Sequence, residues 1–381
     1  MSLYESTNKY TPVRFNKNDK PEFFKELNKR VNNYFKENDI SKHANSSMVF
    51  KTFFMIGLYL IPYFLMITGV VSSFWMVLLM WILMGFGKTG IGTSIMHDAI
   101  HGAYTKDAKL NRRIGYIINL VGGYHTNWKI QHNVLHHSFT NIHDYDEDID
   151  KKIIRFSPTQ ERKGYFRFQI LYAPLLYAIL TLYWFVGKDF EKLVQYHKLG
   201  LLKDQKETFL SAFIKILISK TLYSILFIVL PIMLIDLPWQ QVILGFLVMH
   251  AISGMSLALI FQAAHVVEGT DFFKVDENNS VESNWAIHQL RTTANFAKGN
   301  VPFGWFIGGL NHQIEHHLFP HICHVHYPKI SEIIKSTAHE YGINYIEHKT
   351  FGGALISHFK LLHELGTGKY DKNLQLELAA A

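Results

Sequence analysis

Two long stretches of this chain contain no Asp, Glu, Lys or Arg: Thr52 to Gly87 and Leu237 to Val267. About 20 apolar residues make one helical crossing of a bilayer, so the first stretch is long enough for two crossings joined by a tight turn. The pattern predicts one pair of spans at roughly 48–70 and 72–93, turning at GVVSS, and a second at roughly 212–236 and 239–262, turning at DLPWQ. Neither turn has Lys or Arg, whereas residues 1–47 carry nine. The positive-inside rule therefore sets both termini and the long polar segments in the cytoplasm.

A further apolar stretch, FRFQILYAPLLYAILTLYWFVG at 166–187, is also long enough to cross. Crossing there would put the histidines before and after it on opposite faces. It therefore reads as an interfacial or partly buried helix bent at Pro174. Residues 21–39 set Phe23, Phe24, Leu27, Val31, Tyr34 and Phe35 at helical spacing with charges between them. Pro21 suits a first turn. This is an amphipathic helix, lying on the membrane surface or packed on the rest of the protein.

The expected fold class is an all-α integral membrane protein. Its four transmembrane helices form two hairpins, with a cytoplasmic histidine-rich cap and interfacial amphipathic helices. The expected division is a cytoplasmic N-terminal region (1–47), a first hairpin (48–93), a cytoplasmic region with two histidine clusters and the interfacial helix (94–210), a second hairpin (211–263), and a cytoplasmic C-terminal region with the third cluster (264–381).

Composition agrees. Only 18% of residues are charged, against about a quarter in soluble domains. No signal-peptide pattern precedes the first apolar run. The single cysteine, Cys323, excludes an intrachain disulfide and a thiolate metal cluster. Histidine is abundant, at 22 residues, so any metal must be held mainly by nitrogen. The net charge of +7 suits anionic lipid headgroups; no nucleic-acid recognition motif accompanies it.

The histidines cluster. HDAIH gives His97 and His101 at i, i+4, on one face of a helix. HNVLHH gives His132 and His136 as a second such pair, with the adjacent His137 reaching sideways. NHQIEHH gives His312, Gln313, His316 and His317, and His265 follows the last predicted span in FQAAHVVEG. Eight or more nitrogen ligands exceed the three or four that one zinc ion uses, so two ions fit better. Imidazole suits iron, copper, zinc or nickel, so ligand type alone does not choose the metal. Asp98, Glu315 and the acidic run holding Asp144, Asp146, Glu147, Asp148 and Asp150 could accept ring N–H groups and fix the tautomers. His250 falls in the middle of the fourth span, where an ionisable group is a functional candidate, including for substrate contact, or a helix-to-helix hydrogen bond.

The order HDxxH, HxxHH, QxxHH, with membrane hairpins around it, resembles the membrane fatty acid desaturases. HDAIHGAY, WKIQHNVLHHSFTN, HVVEG and GGLNHQIEHHLFP are similar to the front-end, linoleoyl-CoA type over about residues 45–330. The resemblance implies two iron ions, O2 as co-substrate, and insertion of a cis double bond into the long acyl chain of an acyl-CoA or acyl-lipid. It makes His97, His101, His132, His136, His137, His265, His316 and His317 iron ligands. Gln313 stands where many relatives have a ninth histidine and would bind directly or through water; His312 is a possible substitute.

Many front-end relatives carry a fused cytochrome domain marked by HPGG, and this sequence has no such motif. Electrons are then expected from a separate cytochrome b5 or ferredoxin with its reductase. The same absence, with the Lys/Asn/Ile-rich composition, points to a bacterial inner membrane. The rival readings are a histidine-rich hydroxylase or oxygenase of alkanes, carotenoids or sphingolipids, and a non-catalytic metal transporter. Transport would need a polar path through the spans, and these offer little besides His250 and lysines near their ends.

Overall fold

The computed structural model describes residues 10–380; residues 1–9 and 381, the extremities of the two terminal regions, lie outside the described residues. Four helices are long and apolar enough to cross a membrane: α1 (Ser46–Ile67), α2 (Phe74–Ile100), α3 (Phe209–Leu234) and α4 (Trp239–His265). They start within three residues of the expected positions, and the sequence supplies side-chain caps for α1 and α3. The Asn45 side chain accepts from Met48 N–H at 3.1 Å, and Thr208 accepts from Ser211 N–H at 3.2 Å. Each satisfies an N–H that the first turn leaves unpaired.

The ends differ more. Helix α2 runs on to Ile100 and α4 to His265, so His97 and His265 are extensions of the spans themselves. Helix α2 packs along both α1 and α4. At Gly87 a Cβ would lie 2.6 Å from the Tyr59 nitrogen; glycine there lets the α1 and α2 backbones touch, as small residues do between membrane helices.

The stretch at 166–187 belongs to a bent pair, Gly164–Ala178 and Leu180–Lys198, meeting at 57°. The break lies at Ile179, five residues beyond the expected Pro174. The cause is tertiary. Helix α4 passes so close that a Cβ on Gly254 would lie 2.6 Å from the Ala178 carbonyl, and Thr181 donates to the His250 carbonyl at 2.9 Å. Both ends of the pair return to the histidine side: Tyr165 binds the Lys152 carbonyl, and His197 lies beside Phe209 at the start of α3. Thr181 meets His250, fifteen residues before His265, so the pair reaches at least about 22 Å down α4 before its second arm turns back.

The amphipathic helix spans Glu22–Glu37. Its stripe of Phe23, Leu27, Val31 and Phe35 is buried against Tyr327, Ile330 and Ile334 of the C-terminal region. This apolar face therefore covers protein, which corrects the membrane-surface reading. The all-α expectation also needs one amendment. Two short parallel ladders occur, Arg14–Phe15 with Ser280–Val281 and Ala294–Phe296 with Ile346–His348. Each clamps segments far apart in the chain around the histidine region.

Candidate metal centre

All three histidine segments meet at one end of the helices. His97 and His101 sit at the end of α2, with ring centroids 4.8 Å apart. His316, on the short helix Gln313–Leu318, stands 4.4 Å from His97. With His132 they form a group of four whose ligand-capable atoms all lie within 4.8 Å of one another. His136, His265 and His317 form a second group of three by the same measure. His137 lies between them, 4.4 Å from the His316 ring and 4.3 Å from that of His317.

The division between groups corrects the expected i, i+4 pairing of His132 with His136. Ile130–His136 is a π-helical turn, in which hydrogen bonds run from i to i+5. Residues five apart therefore come onto one face: His132 and His137 approach to 3.2 Å between Nε2 atoms. His136 turns instead to His265 and His317, at 4.8 and 4.9 Å. A second π-helical turn, Ile91–Met96, delivers His97.

These residues fit metal ions. The Nε2 atoms of His101, His136, His265, His316 and His317 are buried with no hydrogen-bond partner. One such orphan costs free energy; five facing a common space describe a ligand set. The 3.2 Å separations of His132 Nε2 from His97 Nε2 and His137 Nε2 suit nitrogens that each stand about 2.1 Å from a shared ion. Burial, followed by neighbouring imidazoles, holds His101, His132, His137, His316 and His317 well below the ordinary histidine pKa. They are thus neutral, the form that binds metal.

The far ring nitrogens are held from outside. His317 Nδ1 lies 2.8 Å from Gln289 Oε1, which also accepts from the Thr140 hydroxyl. His265 Nδ1 faces the Thr292 carbonyl at 3.2 Å, and His316 Nδ1 the Tyr327 hydroxyl at 3.3 Å. Trp128 packs on His132 at 4.4 Å between centroids. His136 Nδ1 faces Asp146 at 3.1 Å and Asp148 at 3.9 Å. Burial alone would lower this ring's pKa, but the two carboxylates outweigh it and hold it above the ordinary value.

Gln289, Thr292 and Tyr327 escaped sequence reasoning, because nothing in their spacing marks them. Trp128 did carry a signal, standing one turn before His132.

Other candidates lie to the side. Gln313 is buried and its amide interacts with His265, on the three-histidine side. His312 Nδ1 has Glu315 at 3.7 Å, and Glu315 accepts from Asn295 and Tyr345. Asp144 neighbours His143 at 3.8 Å, whose other nitrogen binds Asp150. Asp98 stands 3.7 Å from His97 Nδ1 but accepts mainly from His324, at 2.8 Å, and Lys51 faces the other nitrogen of that ring at 2.7 Å. His250 is far down α4, among Thr181, Tyr223 and Lys88 at 3.0, 3.1 and 3.2 Å.

Comparison with known proteins gives this geometry a family. Residues 73–349 match the fatty acid desaturase profile. The chain belongs to the fatty acid desaturase family. Its relatives are front-end types. The desaturase is 34% identical to the sn-1 linoleoyl-lipid 6-desaturase of Arthrospira platensis, covering 93% of this chain and 95% of that one. It is 35% identical to the protein of the same name from Synechocystis sp., over 93% and 99%. It is 36% identical to the acyl-lipid (8-3)-desaturase of Physcomitrium patens, over 92% and 72%. Desaturases of this family are oxidoreductases that generally use a diiron centre and O2.

Proposed function

We propose that this desaturase inserts a cis double bond near the carboxyl end of a long acyl chain carried by a membrane glycerolipid, in an oxygen-dependent reaction. The observation that carries the reading is the convergence of eight histidines, five with buried and unpartnered Nε2 atoms. Hydrogen removal from an unactivated methylene needs an oxidant that no side chain supplies. Two iron ions, held by His97, His101, His132 and His316 on one side and by His136, His265 and His317 on the other, with His137 between them and Gln313 beside His265, would supply that oxidising power together with O2.

The chain's residues do the rest. Asp146, Gln289, the Thr292 carbonyl and Tyr327 take the outer ring nitrogens of His136, His317, His265 and His316 and fix which nitrogen faces inward. Packing around the rings keeps water from the reacting carbons. Electrons arrive from a separate cytochrome b5 or ferredoxin with its reductase. The histidine end faces the cytoplasm, because the basic N-terminal region leads into the end of α1 nearest it and the opposite turns lack Lys and Arg.

A lipid carrier is preferred to acyl-CoA because the Arthrospira and Synechocystis relatives, similar along nearly their whole length, are named as linoleoyl-lipid enzymes. The test is expression in a host fed linoleate, with separate analysis of the lipid and acyl-CoA pools. A new double bond on the carboxyl side of the existing ones is expected in the lipid pool, under air only. Gain of an oxygen atom, rather than loss of two hydrogens, would favour the hydroxylase reading.

A further inference from the structure

A cavity of about 610 Å³ adjoins the metal centre. His101 forms part of one wall, at the end of α2; the other includes Lys206 and Glu207, which lead into α3. It therefore opens where two spans end, at the depth of lipid headgroups. Its size is that of a small-molecule site, and it is a concavity, not a face.

Its charge is one-sided. Lys106, Arg112, Lys129 and Lys206 all line it. The three lysines make no ion pair among the described residues, and the Arg112 Nε donates to the Tyr116 hydroxyl at 3.0 Å. Of the two carboxylates present, Glu207 is engaged by Lys215 at 2.6 Å, leaving Asp204. Burial and the nearby Arg112 both hold the Lys129 ammonium below its ordinary pKa. Cations are thus gathered in a half-enclosed space without enough anions to balance them.

We propose that this cavity binds the phosphate-bearing head of the acyl carrier, whose chain passes His101 to reach the metals. The proposal rests on the acyl-carrier reading above. Phosphate oxygens would accept charge-assisted bonds from Arg112 and Lys129. A head seated against His101 presents the carbons nearest its carboxyl group, which accounts for a double bond placed by counting from that end. Lys106, Arg112 and Lys206 are exposed at the rim while Lys129 is half-buried behind them; a small phosphate can meet both, whereas an acidic electron-donor protein would use the rim alone.

The test is binding to the purified protein in detergent, using a fluorescent short-chain phosphatidylglycerol, the matching diacylglycerol, and an acyl-CoA with the same label. The phosphatidylglycerol probe should bind about tenfold tighter than the diacylglycerol, and Arg112→Glu or Lys129→Glu should each erase that margin. Lys129→Arg should keep it, and unchanged iron content would show the variants to be folded. If acyl-CoA alone shows the charge-dependent margin, the phosphate site stands and coenzyme A is the carrier. Equal affinity for the phosphatidylglycerol and diacylglycerol probes, with no charge-dependent acyl-CoA binding, overturns the proposal. So do variants that bind all three probes normally and slow only reduction by the donor protein. A wild-type protein that binds as expected yet forms no double bond on any carrier defeats the proposed function instead, and leaves the site in place.

Discussion

Two buried polar clusters stand one above the other along α4. At its end, His265 joins an assembly in which five Nε2 atoms have no partner. Fifteen residues earlier, His250 is ringed by Thr181, Tyr223 and Lys88, all within 3.2 Å. Both are costly to bury in an apolar surrounding. They differ in how the cost is met: the inner cluster is paired within the fold, whereas the outer one leaves five ring nitrogens open to a ligand. Unpaired nitrogen, more than histidine itself, separates a site from a fastening.

The contrast can be broken experimentally. The largest effect is expected from His316→Ala, which removes a ligand from the group of four. Iron per protein should fall by about half or more and product formation by more than about 100-fold, beyond the usual range for outer partners. Metal analysis beside lipid profiling checks both. Next is Gln289→Ala, which frees the outer nitrogen of His317; iron affinity should drop roughly 10- to 100-fold, measured by competition with a chelator. Asp146→Asn should act similarly through His136.

A smaller effect is expected at the inner cluster. His250→Phe should cost about 1–2 kcal/mol of stability in a denaturation series while leaving iron content unchanged. Loss of iron there would erase the distinction drawn above. Smallest is Asp144→Asn, expected within about 0.5 kcal/mol of wild type with full iron. This sets the outlying member of the acidic run against Asp146.

Much of this was readable from the chain. Long apolar runs marked the four candidate spans, and the histidine motifs named the rings that converge. What escaped had no local signature. Gln289 reaches His317 from 28 positions away, the Thr292 carbonyl reaches His265 from 27, and Tyr327 reaches His316 from 11. Within DYDEDID, alternating acids look alike, and only the turn of the loop decides that Asp146 meets His136 of the cluster while Asp144 meets the outlying His143. The helix at Glu22–Glu37 shows the same limit: its periodicity declares an apolar stripe but not whether lipid or protein covers it.

The turn at Ile130–His136 also sets a constraint on sequence change. His136 and His137 are chemically identical neighbours, and only the widened coil turns them toward different histidines. Deleting one residue upstream within that segment would tighten it to ordinary pitch and exchange their duties, with every histidine still present. Lineages of this enzyme should therefore tolerate substitutions between the histidines far more readily than a change in the number of residues separating them.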